Sequence, residues 1–306
     1  MRARYTGWLA LIASMTAWVP TVSHAQEGQT LQVGGVTRTY TLRTPERLPE
    51  GVRVPLVFVF HGGGGNAGNA ERMTGFTNKA RQEGFIVVYP EGSGRLQRGL
   101  HTWNAGHCCG YAMTQKVDDV GFISALLDTL AKTYPIDEKR VYATGMSNGG
   151  MMAHRVGIDL SVRNAAIAPV VATVFGDERK PEKPVAALMI NGLLDKNVPV
   201  AGGAPGGPGR DAWDGTPARP ALDQGVFWAK ANDCAVAPAK EDTGTKTHWR
   251  YRCPAGRAVE VLVLKDSGHA WPGGQRGRRQ GDTPSASLAA TNLIWEFFAA
   301  NHRALR

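Results

Sequence analysis

The chain has 306 residues, 42% of them hydrophobic, and a formal charge of +9. The length fits one large α/β domain or two small ones, and the apolar fraction excludes a disordered chain. The basic balance raises nucleic acid as a partner, but no zinc-finger spacing, RNA-binding sheet motif or long Lys/Arg block accompanies it, so a soluble basic surface and no nucleic acid is the reading taken.

The first 25 residues read as a cleaved signal peptide. Arg2 and Arg4 give a positive start, Trp8 to Val19 is apolar and is broken by Pro20, and Ser23-His24-Ala25 is a small-x-small cleavage site. The apolar run is too short to span a membrane comfortably. No Cys follows the cleavage site, and Ala3 separates the two arginines, which argues against a lipid anchor and against twin-arginine export. The mature domain is expected over residues 26–306, secreted to an extracellular or periplasmic compartment.

Thr37 to Leu42 alternates and predicts an edge strand. Val54 to Phe60 is a nearly continuous apolar run, as expected of a strand buried on both faces of a parallel sheet. It leads into His61-Gly62-Gly63-Gly64-Gly65-Asn66, a glycine loop whose bare backbone suits an oxyanion hole. No Gly-Lys-Ser/Thr follows, so it does not fit a phosphate-binding loop. Asn69 to Gly84 predicts a helix closed by Gly84, and Phe85 to Tyr89 another buried strand. Pro90 to Ala105 is polar and Gly-rich and carries Trp103 and Asn104. Asp118 or Asp119 caps a helix running to about Tyr134, and these carboxylates are read as a cap and a structural anchor. Pro135 stops that helix, and Val141 begins the next strand.

That strand runs into Gly145-Met146-Ser147-Asn148-Gly149, the pattern of a nucleophile elbow. A helix follows, with its positive dipole end and free N–H groups aimed at the serine. Ala165 to Val171 and Val185 to Asn191 are further strands, the second ending just before Asp195. Ala201 to Arg219 is rich in Gly and Pro and too long for an ordinary connection, so it is a mobile flap or a plain insertion. Pro220 to Asn232 predicts a helix, and His248 to Cys253 and Val259 to Leu264 predict strands. The last strand leads to His269, and Ser285 to Asn301 is a closing amphipathic helix. The alternation of strands and helices, with no repeat and no linker, implies a single domain with a mostly parallel sheet and helices on both faces.

Four cysteines fit an oxidising compartment. Cys234 and Cys253 are expected to pair, closing a loop of about 20 residues that stabilises by roughly 3 kcal/mol. Cys108 and Cys109 are then left together, either as a vicinal disulfide or as two buried thiols, since adjacent Cα atoms lie below the usual disulfide range. No C-x-x-C pair is present, and His101 and His107 alone do not complete a tetrahedral set, so no metal is expected.

Ser147, Asp195 and His269 each follow a predicted strand, in the chain order of α/β-hydrolases. The serine hydroxyl needs a base, the imidazole can take its proton and return it, and the carboxylate fixes the imidazole tautomer. Backbone N–H groups of Asn148 and of Gly63 or Gly64 are expected to hold the oxyanion. Asp266 is the rival acid, but it lies too close to His269 in sequence. Of the rival bases, His154 is read as packing and His61 as ordering its own loop.

His61-Gly62-Gly63-Gly64-Gly65-Asn66, Trp103-Asn104-Ala105-Gly106 with Cys108-Cys109-Gly110, Val117-Asp118-Asp119-Val120-Gly121-Phe122, the elbow, and Gly268-His269-Ala270-Trp271-Pro272-Gly273 together resemble the secreted polyhydroxybutyrate-depolymerase-type esterases. Feruloyl and acetyl xylan esterases stand close to that family. The likeness runs from about residue 30 to 300. It implies an α/β-hydrolase fold, an ester substrate, no cofactor, Ser147 as nucleophile, Asp195 as acid and His269 as base. It also implies that Trp103 and Trp271 line the acyl pocket, with Asn104 grouped with them. The chain departs from the family where Asn191-Gly192-Leu193-Leu194 stands in place of a His-Gly-Thr-like turn before the acid.

The sequence therefore reads as a monomeric serine carboxylesterase for feruloyl, short-acyl or hydroxyalkanoate esters. Acyl transfer to another acceptor and ligand binding without catalysis are the alternatives on the same scaffold. Arg276, Arg278 and Arg279 form either a solvated basic loop or an attractor for anionic substrates.

Overall fold

Along β3 (Val54–Phe60) every side chain is buried. Leu56, Phe58 and Phe60 belong to one hydrophobic cluster and Val57 and Val59 to another, so the period-two alternation of a strand feeds two separate cores. That pattern requires cover on both faces of the sheet. The computed structural model describes residues 28–48, 50–96 and 100–303. The expected signal peptide, residues 1–25, lies outside the described residues.

Among the described residues the sheet has ten strands in the order β1-β2-β4-β3-β5-β6-β7-β10-β9-β8. These are β1 (Gln29–Val33), β2 (Val36–Arg43), β3, β4 (Ile86–Pro90), β5 (Ile136–Met146), β6 (Ala166–Val170), β7 (Ala186–Gly192), β8 (Ala239–Asp242), β9 (Lys246–Tyr251) and β10 (Val259–Leu264). The central run β4-β3-β5-β6-β7-β10 is parallel, and antiparallel strands extend both edges. The strand expected at an edge over residues 37–42 is β2, which lies inside the sheet because β1 pairs along its outer side.

Among the described residues seven helices flank it: α1 (Ala67–Thr74), α2 (Phe76–Glu83), α3 (Gly110–Thr114), α4 (Asp119–Thr133), α5 (Asn148–Asp159), α6 (Ala221–Ala231) and α7 (Ala290–Ala300). Phe122 and Leu126 of α4, Met152 and Val156 of α5 and Trp228 of α6 pack into the cluster on one face. Met73 of α1, Phe76 of α2 and Ile294 and Phe298 of α7 pack into the other. This is the single α/β-hydrolase sheet expected from the sequence, and among the described residues no helix is long and apolar enough to cross a membrane.

Several boundaries differ from expectation. The helix expected over residues 69–84 is two helices, because Gly75 adopts a left-handed φ of 69° and closes α1 before α2 starts. The closing helix begins at Ala290 rather than Ser285, since Ser285 and Ser287 turn their hydroxyls onto the Asp266 carboxylate. Asp118 caps α4 by accepting the Gly121 N–H at 2.8 Å, while Asp119 anchors the buried Arg38 at 2.7 Å. Both cysteine pairs are disulfides, Cys234–Cys253 and the adjacent Cys108–Cys109. The 201–219 segment is tied down: Gly203 bridges Ala218, and Trp213 bridges Cys108.

Candidate active site

The C-terminal ends of β5, β6, β7 and β10 lie side by side, and the ladder continues into their loops. Ser147 donates its N–H to Val170 O at 2.9 Å, Val171 to Ile190 O at 2.7 Å, and Leu193 to Leu264 O at 2.8 Å. Ser147, Asp195 and His269 follow three of these ends, the edge where open α/β sheets place their sites.

Ser147 has φ 58° and ψ −125°, a strained conformation for a residue with a Cβ. The turn is possible because the chain at Gly149 passes against Phe60 and His61: a Cβ there would stand 2.4 Å from both carbonyl oxygens. Asn148 opens α5, so its N–H has no partner within the helix and points out of the N-terminus. Among the described residues the Ser147 hydroxyl makes no hydrogen bond, so the structure joins His269 to Asp195 but not to Ser147.

The Asp195 carboxylate, almost fully buried, is fixed on both oxygens. One accepts the N–H groups of Asn197 and Val198 at 2.8 and 2.9 Å. The other accepts His269 Nδ1 at 2.8 Å. A carboxylate can only accept, so Nδ1 carries the proton and Nε2 presents a lone pair. The rival acid, Asp266, is occupied by Ser285 and Ser287.

The glycine loop narrows the choice of oxyanion donors. Gly64 donates its N–H to His101 O at 2.8 Å, which corrects the expectation that it is a free donor. Among the described residues the Gly63 N–H has no hydrogen-bond partner. A Cβ on Gly63 would lie 3.6 Å from the Asn148 Cβ, so the glycine loop runs against the start of α5.

The rival histidines His61, His101 and His154 are occupied. His61 Nε2 accepts the Gly92 N–H at 3.0 Å, so its proton sits on Nδ1 and is donated to Gly62 O at 2.9 Å. Burial pushes its pKa down to about 4, and the ring stays neutral as a brace for the glycine loop. His154 Nδ1 accepts the Trp228 indole N–H at 3.0 Å, its Nε2 faces Gln224 at 2.8 Å, and burial likewise lowers its pKa to about 4. His101 pairs with Glu91 at 2.7 Å.

The tryptophans do not line an open pocket, contrary to expectation. Trp103 is fully buried: its indole N–H donates to His61 O at 3.0 Å, and its backbone N–H and C=O exchange hydrogen bonds with the Asn148 side chain at 2.7 and 3.0 Å. It is a strut between glycine loop and elbow. Trp271 is also fully buried, packed edge-on to Phe76 and hydrogen-bonded to Thr291 at 3.0 Å. Asn104 spends its backbone N–H on Asp119 and its side-chain amide on Val117 O, at 2.7 and 2.9 Å.

Two contacts were not foreseen. Asp282 accepts the His269 backbone N–H, and Arg278 donates to Gly63 O, so the basic loop touches both base and oxyanion loop. No motif signals either, because both depend on how an irregular loop folds back. Among the described residues no group of three His, Cys, Asp or Glu side chains is placed to hold a metal ion.

Known proteins share this architecture. The acetyl xylan esterase from Aspergillus awamori superposes with a TM-score of 0.61 at 12% identity, covering 89% of this chain and 99% of that one, a likeness of fold. Feruloyl esterase B from Piromyces equi is 29% identical over 231 residues, 73% of this chain but 41% of the relative, so the chain spans less than half of that protein's length. Feruloyl esterase D from Neurospora crassa is 25% identical over 295 residues, 92% of this chain and 87% of the relative. Residues 39–201, more than half of the chain, match the family of PHB depolymerase esterases, and the chain belongs to that family.

Proposed function

We propose that the protein is an exported serine carboxylesterase that hydrolyses feruloyl or short-acyl esters through an acyl-enzyme. The observation that carries this reading is the 2.8 Å contact between Asp195 and His269 Nδ1, on the same sheet edge as the elbow serine. His269 Nε2 removes the Ser147 proton as Oγ attacks the ester carbonyl. The N–H groups of Asn148 and Gly63 receive the negative oxygen, and each such donor lowers the barrier by roughly 3 kcal/mol. His269 then returns the proton to the departing alcohol, and water repeats the sequence on the acyl-enzyme to release the acid. Membership of the esterase family supports the reaction, and the feruloyl esterase relatives support the aromatic acyl group. The family's own description favours a second substrate class, hydroxybutyrate esters.

The test is an initial-rate comparison of methyl ferulate with a soluble 3-hydroxybutyrate trimer, with Ser147→Ala as the blank. Ser147→Ala is expected to lower kcat on the order of 10⁴-fold or more. Near-wild-type hydrolysis by that variant would sink the mechanism, and the preferred ester assigns the substrate class. For export, the N-terminus of the secreted protein is expected near Gln26.

A further inference from the structure

Gly62 to Gly65 have no side chains with which to anchor themselves, so hydrogen bonds from other segments set the path of the glycine loop. Its middle is held by His101, whose carbonyl accepts the Gly64 N–H at 2.8 Å. Its far end enters α1 at Ala67, whose N–H opens the helix and has no partner within it.

Both points converge on one carboxylate that the proposed reaction does not use. Glu91 Oε1 accepts the His101 Nδ1–H at 2.7 Å, and Oε2 accepts the Ala67 N–H at 3.1 Å. The near end of the loop meets the same segment, because the Gly92 N–H donates to His61 Nε2 at 3.0 Å. Glu91 directly follows β4, and its main chain is pinned to β2: its N–H donates to Thr39 O at 2.9 Å, and its carbonyl accepts the Arg38 guanidinium at 3.1 Å. The side chain thus reaches the loop from a fixed point on the sheet, and it is 18% exposed.

The residue type suits the task. An ionised carboxylate presents two acceptor oxygens and no donor, so it satisfies an imidazole N–H and a main-chain N–H on separate segments at once. Its charge also suits the first turn of a helix. Between the points it holds lies the Gly63 N–H, which has no partner among the described residues. A donor lowers the barrier when it is aimed before the negative charge develops, and a small displacement costs much of that effect.

We propose that Glu91 is a positioning residue that fixes the glycine loop with the Gly63 N–H aimed at the developing oxyanion. The proposal rests on the esterase reading above, in which Gly63 is one of the two donors. Both carboxylate oxygens are committed to His101 and Ala67, so Glu91 acts through them.

The test uses the faster ester of the preceding comparison and its thiono counterpart, in which sulfur replaces the carbonyl oxygen. Sulfur is a weak acceptor, so the ratio of the two kcat/KM values reads the oxyanion donors. A loss of folded enzyme lowers both rates alike and leaves the ratio unchanged. Wild type is expected to favour the oxygen ester by about 10-fold or more. Glu91→Ala is expected to lower kcat on that ester about 10-fold with KM little changed, and to bring the ratio towards unity. Glu91→Gln keeps one acceptor oxygen and nearly the same shape, and is expected to lower the ratio by a smaller factor. Should Glu91→Ala not fold, the Gln variant decides. A fall in kcat at an unchanged ratio means that Glu91 serves stability alone, and overturns the proposal. A rise in KM at constant kcat assigns Glu91 to substrate binding and overturns it too. The absence of an oxygen preference in wild type overturns the positioning role while leaving the esterase standing. Failure of wild type on every ester overturns the esterase reading and the positioning role with it.

Discussion

The carboxylate of Asp282 accepts the backbone N–H of His269 at 2.6 Å. A few residues earlier on the same loop, Arg278 donates to the carbonyl of Gly63. The loop thus fixes the main chain at the candidate base and at the candidate oxyanion donor together. Neither contact touches the reacting atoms, so each acts through position. Asp282→Ala is expected to lower kcat about 10-fold, equivalent to ~1.4 kcal/mol of barrier, with KM little changed. Asp282→Asn keeps an acceptor oxygen and is expected to recover most of the rate. Steady-state kinetics on one ester checks both, and a rise in KM at constant kcat would mean that Asp282 meets substrate instead.

Trp103 and Trp271 give the opposite kind of prediction. Both are fully buried and hydrogen-bonded through their indole N–H groups. Replacing either by Ala is expected to cost about 3–5 kcal/mol of unfolding free energy. Urea denaturation measures this directly. A variant of unchanged stability with altered acyl preference would restore these rings to the acyl pocket.

The sequence was legible where one physical cause dominates. β3 and β10 begin and end where their apolar runs do, because a strand covered on both faces admits few polar residues. Ser147, Asp195 and His269 stood out as candidates because each lies within a few residues of a strand end. β8 could not be read: all four of its residues are exposed, and only its pairing with β9 makes it a strand. The direction of Trp103 and Trp271 was equally hidden, since an aromatic residue beside a catalytic motif reads the same whether it faces the core or the cleft. Gly64 looked as free as Gly63 until His101, 37 residues away, supplied a carbonyl for its N–H. Asp282 lies 13 residues past His269 in a polar stretch, and only the path of the loop brings it back.

Arg38 and Asp119 form a buried ion pair at 2.7 Å, with side chains 7% and 0% exposed. Asp119 also accepts the Asn104 N–H at 2.7 Å, and Arg38 lies 4.1 Å over the Phe122 ring. The pair therefore joins β2, α4 and the loop that carries Trp103. Removing one partner strands the other charge, so Asp119→Ala is expected to destabilise by about 3–5 kcal/mol. The double variant Arg38→Met with Asp119→Leu is expected to recover a large part of that loss. A double-mutant cycle by chemical denaturation checks it, and simple additivity of the two single losses would show that the groups are not coupled.

Stability is expected to fall in mild acid because two histidines are buried neutral. Burial lowers His61 and His154 to about 4, against an ordinary value of about 6.5 in the unfolded chain. Between those values the unfolded chain binds more protons, so their contribution is complete above about pH 6.5 and is lost as pH falls towards about 4. At about 1.4 kcal/mol per unit, each can remove roughly 3 kcal/mol across that window. His107 has the opposite sign. Its hydrogen bond to Asp177 raises its pKa, so the clamp it forms is at full strength below about pH 6.5 and weakens as pH rises through the raised value. Urea denaturation of wild type and His154→Gln from about pH 7 down to about pH 4 separates these effects. The variant loses a titrating group as well as its contacts with Trp228, so its absolute stability is lower, but its decline towards acid is expected to be shallower than that of wild type. Parallel curves would mean that His154 does not take up a proton on unfolding and that the acid sensitivity arises elsewhere.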